Sequence, residues 1–107
     1  MSAGEGTWRE VAREGDLPVG EMRHLDIGGR PIALYHCASG YFATGDICTH
    51  MRARLSDGYL EGEVVQCALH YGRFDVKTGA PLSPPCTVAL PTYRVKVGAG
   101  RVLLELP

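Results

Sequence analysis

Two short motifs, each pairing a cysteine with a histidine, constrain this chain more than any other feature. Cys48 and His50 are separated by one residue, Cys67 and His70 by two, and sixteen residues (51 to 66) lie between the motifs. A set of two thiolates and two imidazoles suits zinc or an iron–sulfur centre, whereas magnesium and calcium prefer oxygen ligands. The sequence therefore predicts a metal site built from two facing loops.

The order of the candidate ligands favours iron–sulfur over zinc. Zinc fingers usually group like ligands, with a cysteine pair followed by a histidine pair. Here cysteine and histidine alternate as C-x-H and C-x2-H. That order suits a two-iron cluster in which one iron takes both thiolates and the other takes both imidazoles. A structural zinc module stays open as the alternative.

The two motifs resemble the signature of the Rieske family. The similarity continues into residues 56–58 between the motifs and residues 72–75 after them. It is closer still to the small Rieske ferredoxins of bacterial aromatic-ring-hydroxylating dioxygenase systems, including the naphthalene type, over residues 48–62 and 67–76. The resemblance implies one Rieske-type 2Fe-2S cluster, and it implies these ligands: Cys48 and Cys67 on one iron, His50 and His70 on the other.

The resemblance also implies a function. Rieske ferredoxins carry single electrons from a flavin-dependent ferredoxin reductase to a terminal Rieske non-haem iron oxygenase in aromatic compound degradation. A fully ligated cluster leaves no open position for a substrate, and the chain has no other catalytic or nucleotide motif, so we expect a carrier and not an enzyme. We expect transient docking on both partners around the histidines, with Met51, Tyr71 and Pro84 as its apolar centre. A small subunit of another oxidoreductase, such as nitrite reductase, is a further alternative.

Two absences predict a low reduction potential. High-potential Rieske proteins have a cysteine in each motif that forms a disulfide, and Ala53 and Leu69 take those positions here. Those proteins also place hydroxyl donors after the second motif, where this chain has Tyr71, Gly72 and Phe74, with no hydroxyl in the matching places. With fewer donors to stabilise the added charge, we predict a potential of roughly −150 mV, at the low end of the Rieske range.

Length and charge limit the remaining possibilities. The chain of 107 residues predicts one Rieske domain (1–107), and a net charge of −1 gives no basis for binding nucleic acid or a membrane surface. The N-terminus lacks the features of a secretory signal, so we expect a cytoplasmic protein. We expect a monomer because a carrier moves between partners. In a reducing compartment Cys37 and Cys86 are expected to be partly buried free thiols with no redox task, although four cysteines could also form two disulfides.

Short strands and tight turns predict an all-β fold, an antiparallel sandwich or barrel. Residues 21–27 and 30–37 flank Gly28-Gly29, which is a strong hairpin signal. Residues 93–97 and 101–106 are expected to form the last pair of strands. The resemblance adds a small cluster-binding subdomain over about residues 45–86, with a proline-containing loop at 84–85 covering the cluster.

A few single residues carry weaker expectations. Gly72 is expected to allow a close backbone approach or to be an ordinary turn glycine, and Phe74 is expected in the core. His24 and His36 are expected at the surface or as hydrogen-bonded core residues. The arginines Arg52, Arg54 and Arg73 are either a docking surface or a solvated face.

Overall fold

The computed structural model describes residues 7–48, 53–69, 72–83 and 87–106, and nearly all regular structure in them is β-strand. The single exception is a 3-10 turn at Leu55–Asp57. The strands in chain order are β1 (Thr7–Arg13), β2 (Met22–Ile27), β3 (Arg30–Cys37), β4 (Gly40–Gly45), β5 (Tyr59–Glu61), β6 (Val64–Gln66), β7 (Arg73–Asp75), β8 (Thr92–Tyr93), β9 (Val95–Gly98) and β10 (Arg101–Leu106).

These strands form three antiparallel sheets. Their strand orders are β1-β10-β9, β2-β3-β4-β8 and β5-β6-β7. The predicted all-β antiparallel fold is therefore confirmed. In the described residues no helix is long and apolar enough to cross a membrane.

Strand β3 separates two apolar cores because successive side chains of a strand point to opposite faces. Ile32 and Leu34 pack into one core with residues of β1 and β10. Ala33, Tyr35 and Cys37 pack into the other core, which also contains Cys48 and Cys67. The two candidate cysteine ligands thus pack against the face of β3 that carries Ala33, Tyr35 and Cys37.

The hairpin predicted at Gly28-Gly29 is present. Both glycines have positive φ values, 59° and 82°, which a two-residue turn of this kind requires. The turn at Ala99-Gly100 between β9 and β10 is built in the same way, and Ala99 accepts a φ of 53°.

The prediction of one strand over residues 93–97 is wrong. Arg94 divides this stretch into β8, which pairs with β4, and β9, which pairs with β10. The chain changes sheets at Arg94, whose carbonyl accepts the Glu105 N–H at 2.9 Å. The alternation of apolar and polar residues continues through the point where the chain changes sheets, so this pattern alone predicts a single strand.

Candidate metal centre

Cys48 and Cys67 begin two loops of the same construction. The Cys48 N–H donates to the Ala53 carbonyl at 2.9 Å, and the Cys67 N–H donates to the Gly72 carbonyl at 2.8 Å. In both cases the hydrogen bond joins the cysteine to the residue five positions later. We call residues 48–53 the first ligand loop and residues 67–72 the second. His50 and His70 belong to these loops by sequence and lie outside the described residues.

Strand pairing holds both ends of each loop. The second ligand loop connects β6 to β7, and Gln66 pairs with Arg73 immediately beyond it. The first ligand loop follows β4, and a β-bridge between Ile47 and Arg54 closes its stem. Two stem-closed loops can present ligands in a fixed geometry, as a metal site needs.

Both cysteines suit the thiolate positions of an iron–sulfur cluster. Cys48 is 4% exposed and Cys67 is fully buried, and neither is in a disulfide. The two residues share one apolar cluster with Leu55, Val65 and Phe74, which shields that side of the loops from water. A hydrophobic shell of this kind controls the access of solvent to a metal site. Phe74 is buried, as predicted.

Cys37 lies in the same apolar cluster but is a different kind of thiol. Burial raises its pKa to about 11, and the negative charges of Glu63 and Asp75 add to the shift. A raised pKa keeps the thiol protonated, so Cys37 is a poor metal ligand or nucleophile. Cys37 is a free thiol, as expected, but it is fully buried and not partly buried, whereas Cys86 lies outside the described residues.

Gly58 makes a close backbone approach beside the second cysteine. A Cβ atom built on Gly58 would lie 2.0 Å from the Gln66 carbonyl oxygen and 3.2 Å from the Ala68 nitrogen. These two peptide groups flank Cys67, so Gly58 packs against the backbone that carries the second cysteine. Gly72 supplies the carbonyl that closes the second ligand loop, and the close approach expected at Gly72 stays a prediction. The sequence signal, a glycine in a Ser-Asp-Gly turn, does not reveal what lies opposite it.

Asp46 is a second residue whose importance the sequence did not show. It is fully buried, directly after β4 and two residues before Cys48. Its carboxylate contacts Ser56 and His24. His24 is therefore a hydrogen-bonded residue, as expected. His36 is too, because its Nδ1–H donates to the Leu17 carbonyl at 2.6 Å and its ring stacks on Tyr41.

An open cleft of about 390 Å³ is lined by residues of both ligand loops and of the 3-10 turn. These residues are Ala53, Arg54, Asp57, Ala68 and Leu69. Leu69 is 58% exposed and gives the cleft an apolar side chain at the surface.

The expected docking residues are only partly described. Arg54 and Arg73 are exposed, and Arg73 Nε–H donates to Gln66 Oε1 at 3.3 Å. Arg52, Met51, Tyr71 and the loop at 84–85 lie outside the described residues, so the expectations for them stay predictions.

Comparison with known proteins agrees with this geometry. The family described as Rieske [2Fe-2S] domain matches residues 7–94. The ferredoxin component of the naphthalene 1,2-dioxygenase/salicylate 5-hydroxylase systems of Ralstonia sp is 43% identical over 99 residues, covering 92% of this chain and 95% of the relative. The biphenyl 2,3-dioxygenase ferredoxin component of Rhodococcus jostii (strain RHA1) is 40% identical over 97 residues, covering 91% of each.

Solved structures give the same result. A chain in the complex of reduced oxygenase and oxidized ferredoxin of carbazole 1,9a-dioxygenase has a TM-score of 0.87 and 40% identity, with 92% of each chain covered. A putative nitrite reductase small subunit from Mycobacterium tuberculosis has a TM-score of 0.85 at 22% identity, with 95% of this chain and 96% of that chain covered, and shows likeness of fold alone.

The fold and the paired loops define a small iron–sulfur protein. The chain belongs to the Rieske [2Fe-2S] domain family, and this membership indicates one 2Fe-2S cluster of the Rieske type. Within that family it is similar to the ferredoxin components of aromatic-ring dioxygenase systems.

Proposed function

We propose that this protein is the one-electron carrier between a flavin-dependent ferredoxin reductase and a terminal Rieske non-haem iron oxygenase in aromatic compound degradation. The observation that carries the proposal is the pair of matching loops with two buried, free cysteines, in a chain that matches dioxygenase ferredoxins over nearly its whole length. When bound, a 2Fe-2S cluster takes up and releases one electron.

We assign the four ligands from the motif and the loops. Cys48 and Cys67 would hold one iron as thiolates, and His50 and His70 would hold the other as imidazoles. Burial of both thiols in one apolar cluster supports the cysteine half of this assignment. The histidine half rests on the sequence spacing. We also propose that residues 45–86 form the cluster-binding part of a single domain.

The first experiment tests the cluster directly. Iron and acid-labile sulfide are counted in the purified protein, and its visible and paramagnetic-resonance spectra are recorded before and after dithionite. We expect about two irons and two sulfides per chain and, on reduction, a signal typical of mixed cysteine and histidine ligation. A colourless protein that holds zinc even after anaerobic cluster reconstitution would refute the proposal.

The cleft between the loops is where we propose that partners dock. A carrier must release each partner quickly, and small interfaces suit such exchange. The exposed Leu69 beside the exposed Arg54 and Asp57 gives a small apolar contact within a polar rim. We expect Leu69→Ser to slow electron transfer to the oxygenase with an unchanged spectrum. Val19→Ser is the control, because Val19 is equally exposed, at 59%, and does not line the cleft.

Further parts of the proposal concern the setting. We propose a cytoplasmic monomer, because free thiols at Cys37, Cys48 and Cys67 suit a reducing compartment and a shuttling carrier works best alone. A redox titration is expected to place the potential near −150 mV, and a value above zero would contradict the argument from missing hydroxyl donors.

A further inference from the structure

Asp46 is the most highly connected buried charge in the described residues. Its backbone N–H donates to the Pro31 carbonyl at 3.0 Å, and its carbonyl accepts the Leu55 N–H at 2.7 Å. Its Oδ1 accepts the Ser56 N–H at 2.8 Å, and its Oδ2 accepts the Ser56 hydroxyl at 2.6 Å. His24 Nδ1 lies 2.5 Å from the same Oδ2. One fully buried residue thereby joins β2, the start of β3 and the 3-10 turn.

These contacts form the base of the first ligand loop. Three successive pairs join the two ends of that loop: Leu55 N–H to Asp46 O, the bridge between Ile47 and Arg54, and Cys48 N–H to Ala53 O. Beside the pair formed by Leu55 and Asp46, the Asp46 carboxylate accepts two further hydrogen bonds from Ser56. Movement of Asp46 would therefore move Cys48, since two residues span no more than about 7 Å.

The same carboxylate places a negative charge close to the loop. The Ser56 N–H, the Ser56 hydroxyl and His24 Nδ1 all contact its two oxygens. Burial keeps such a charge poorly screened by solvent and salt. A nearby negative charge opposes the addition of an electron to a cluster and lowers its reduction potential.

We propose that Asp46 is a positioning residue for the cluster: with Ser56 and His24 it clamps the base of the first ligand loop, and its charge holds the reduction potential down. This inference rests on the ligand assignment of the proposed function. The iron and sulfide count of the unmodified protein tests that assignment separately, and the comparisons below are made among variants of a protein that holds its cluster.

The charge is tested by redox titration of Asp46→Asn, which keeps the size of the side chain. We expect the equilibrium constant for reduction to rise on the order of tenfold, which is about 59 mV for a one-electron couple. Asp16→Asn is the matched control, because it removes the same charge from an exposed side chain between β1 and β2, outside both ligand loops. It should move the potential much less. Equal potentials for Asp46→Asn and the unmodified protein, both with a full cluster, would overturn the proposal.

His24→Gln separates charge from packing. This variant disturbs the same contact but leaves the Asp46 carboxylate in place, so the potential should stay the same or fall. A rise as large as that of Asp46→Asn would show that loosened packing moves the potential, and it too would overturn the proposal.

The clamp is tested by a milder change, which serves even if Asp46→Asn does not assemble a cluster. Ser56→Ala removes one donor to Asp46 Oδ2. Ser39→Ala is the matched control, since the Ser39 hydroxyl donates to the Glu63 carboxylate away from the ligand loops. With an iron chelator present, we expect the visible absorbance of Ser56→Ala to decay several-fold faster than that of Ser39→Ala, with unchanged far-ultraviolet dichroism. Equal decay rates would show that the clamp does not hold the loop.

Discussion

Gly58→Ala is the sharpest test of how the two ligand loops are held together. The added Cβ would lie 2.0 Å from the Gln66 carbonyl oxygen and 3.1 Å from its carbon. Contacts of a real Cβ start at 3.0 Å, so the backbone before Cys67 would have to move by about 1 Å. Both neighbours are backbone atoms within the β5-β6 ladder, where Tyr59 pairs with Gln66, and no side chain can rotate away.

The expected cost follows from overpacking in a tightly packed region. Such insertions cost 1–3 kcal/mol and sometimes more, and a rigid backbone contact belongs at the upper end, about 3 kcal/mol. For a chain of this size each kcal/mol lowers the melting temperature by several degrees, so the apparent midpoint should fall by about 12–24 °C. Because the displaced peptide groups flank Cys67, the variant should also purify with less iron.

The assay is thermal unfolding followed by dichroism, with iron counted in the same samples. Gly98→Ala is the matched control, because a Cβ there meets no atom within 4 Å and Gly98 has no positive φ. It should shift the midpoint by only a few degrees. If Gly58→Ala behaves like Gly98→Ala and keeps its full iron content, the close approach does not constrain the second ligand loop.

Three further predictions concern the apolar cluster. Cys67→Ser should abolish the cluster and Cys48→Ser should do the same, whereas Cys37→Ala should keep full iron and an unchanged spectrum; loss of iron in Cys37→Ala would contradict the ligand assignment. Phe74→Ala should destabilise the fold by about 3–5 kcal/mol in chemical denaturation, while Leu82→Ala, at a half-exposed position, should cost under about 1 kcal/mol; similar costs would contradict the burial pattern. Burial raises the pKa of Cys37 from 9.0 to about 11, so the folded state holds this proton more tightly, and the resulting stability is present below pH 9 and is lost as pH rises through 11. Cys37→Ala should therefore lose less stability than the unmodified protein over that range, and parallel losses would refute the shift.

Local chemistry explains what could be predicted from the sequence. The Gly28-Gly29 turn was predictable because two positive φ values are needed there and glycine accepts them at little cost. The spacing of metal ligands along the chain led to Cys48 and Cys67, whose role as ligands stays a prediction. Their matching loop closures and shared burial agree with that reading. In these cases the residues that decide the structure are neighbours in sequence.

Long-range contacts explain what could not be predicted. The division of residues 93–97 at Arg94 depends on which sheets lie on either side of the chain, and nothing in the local pattern records that. Asp46 resembled a plain loop residue because its partners His24 and Ser56 are 22 and 10 positions away. Gly58 resembled a turn glycine for the same reason, since Gln66 comes eight residues later.

Asp46 and Gly58, whose contacts could not be predicted, both involve the segment 55–58. Leu55 and Ser56 bind Asp46 at the base of the first ligand loop, while Gly58 packs against the peptide groups that flank Cys67 in the second. This short segment is therefore in contact with both loops at once. The 3-10 turn at Leu55–Asp57 brings these contacts together within four consecutive residues. Substitutions in the Ser-Asp-Gly stretch should therefore affect cluster assembly before they affect the rest of the fold.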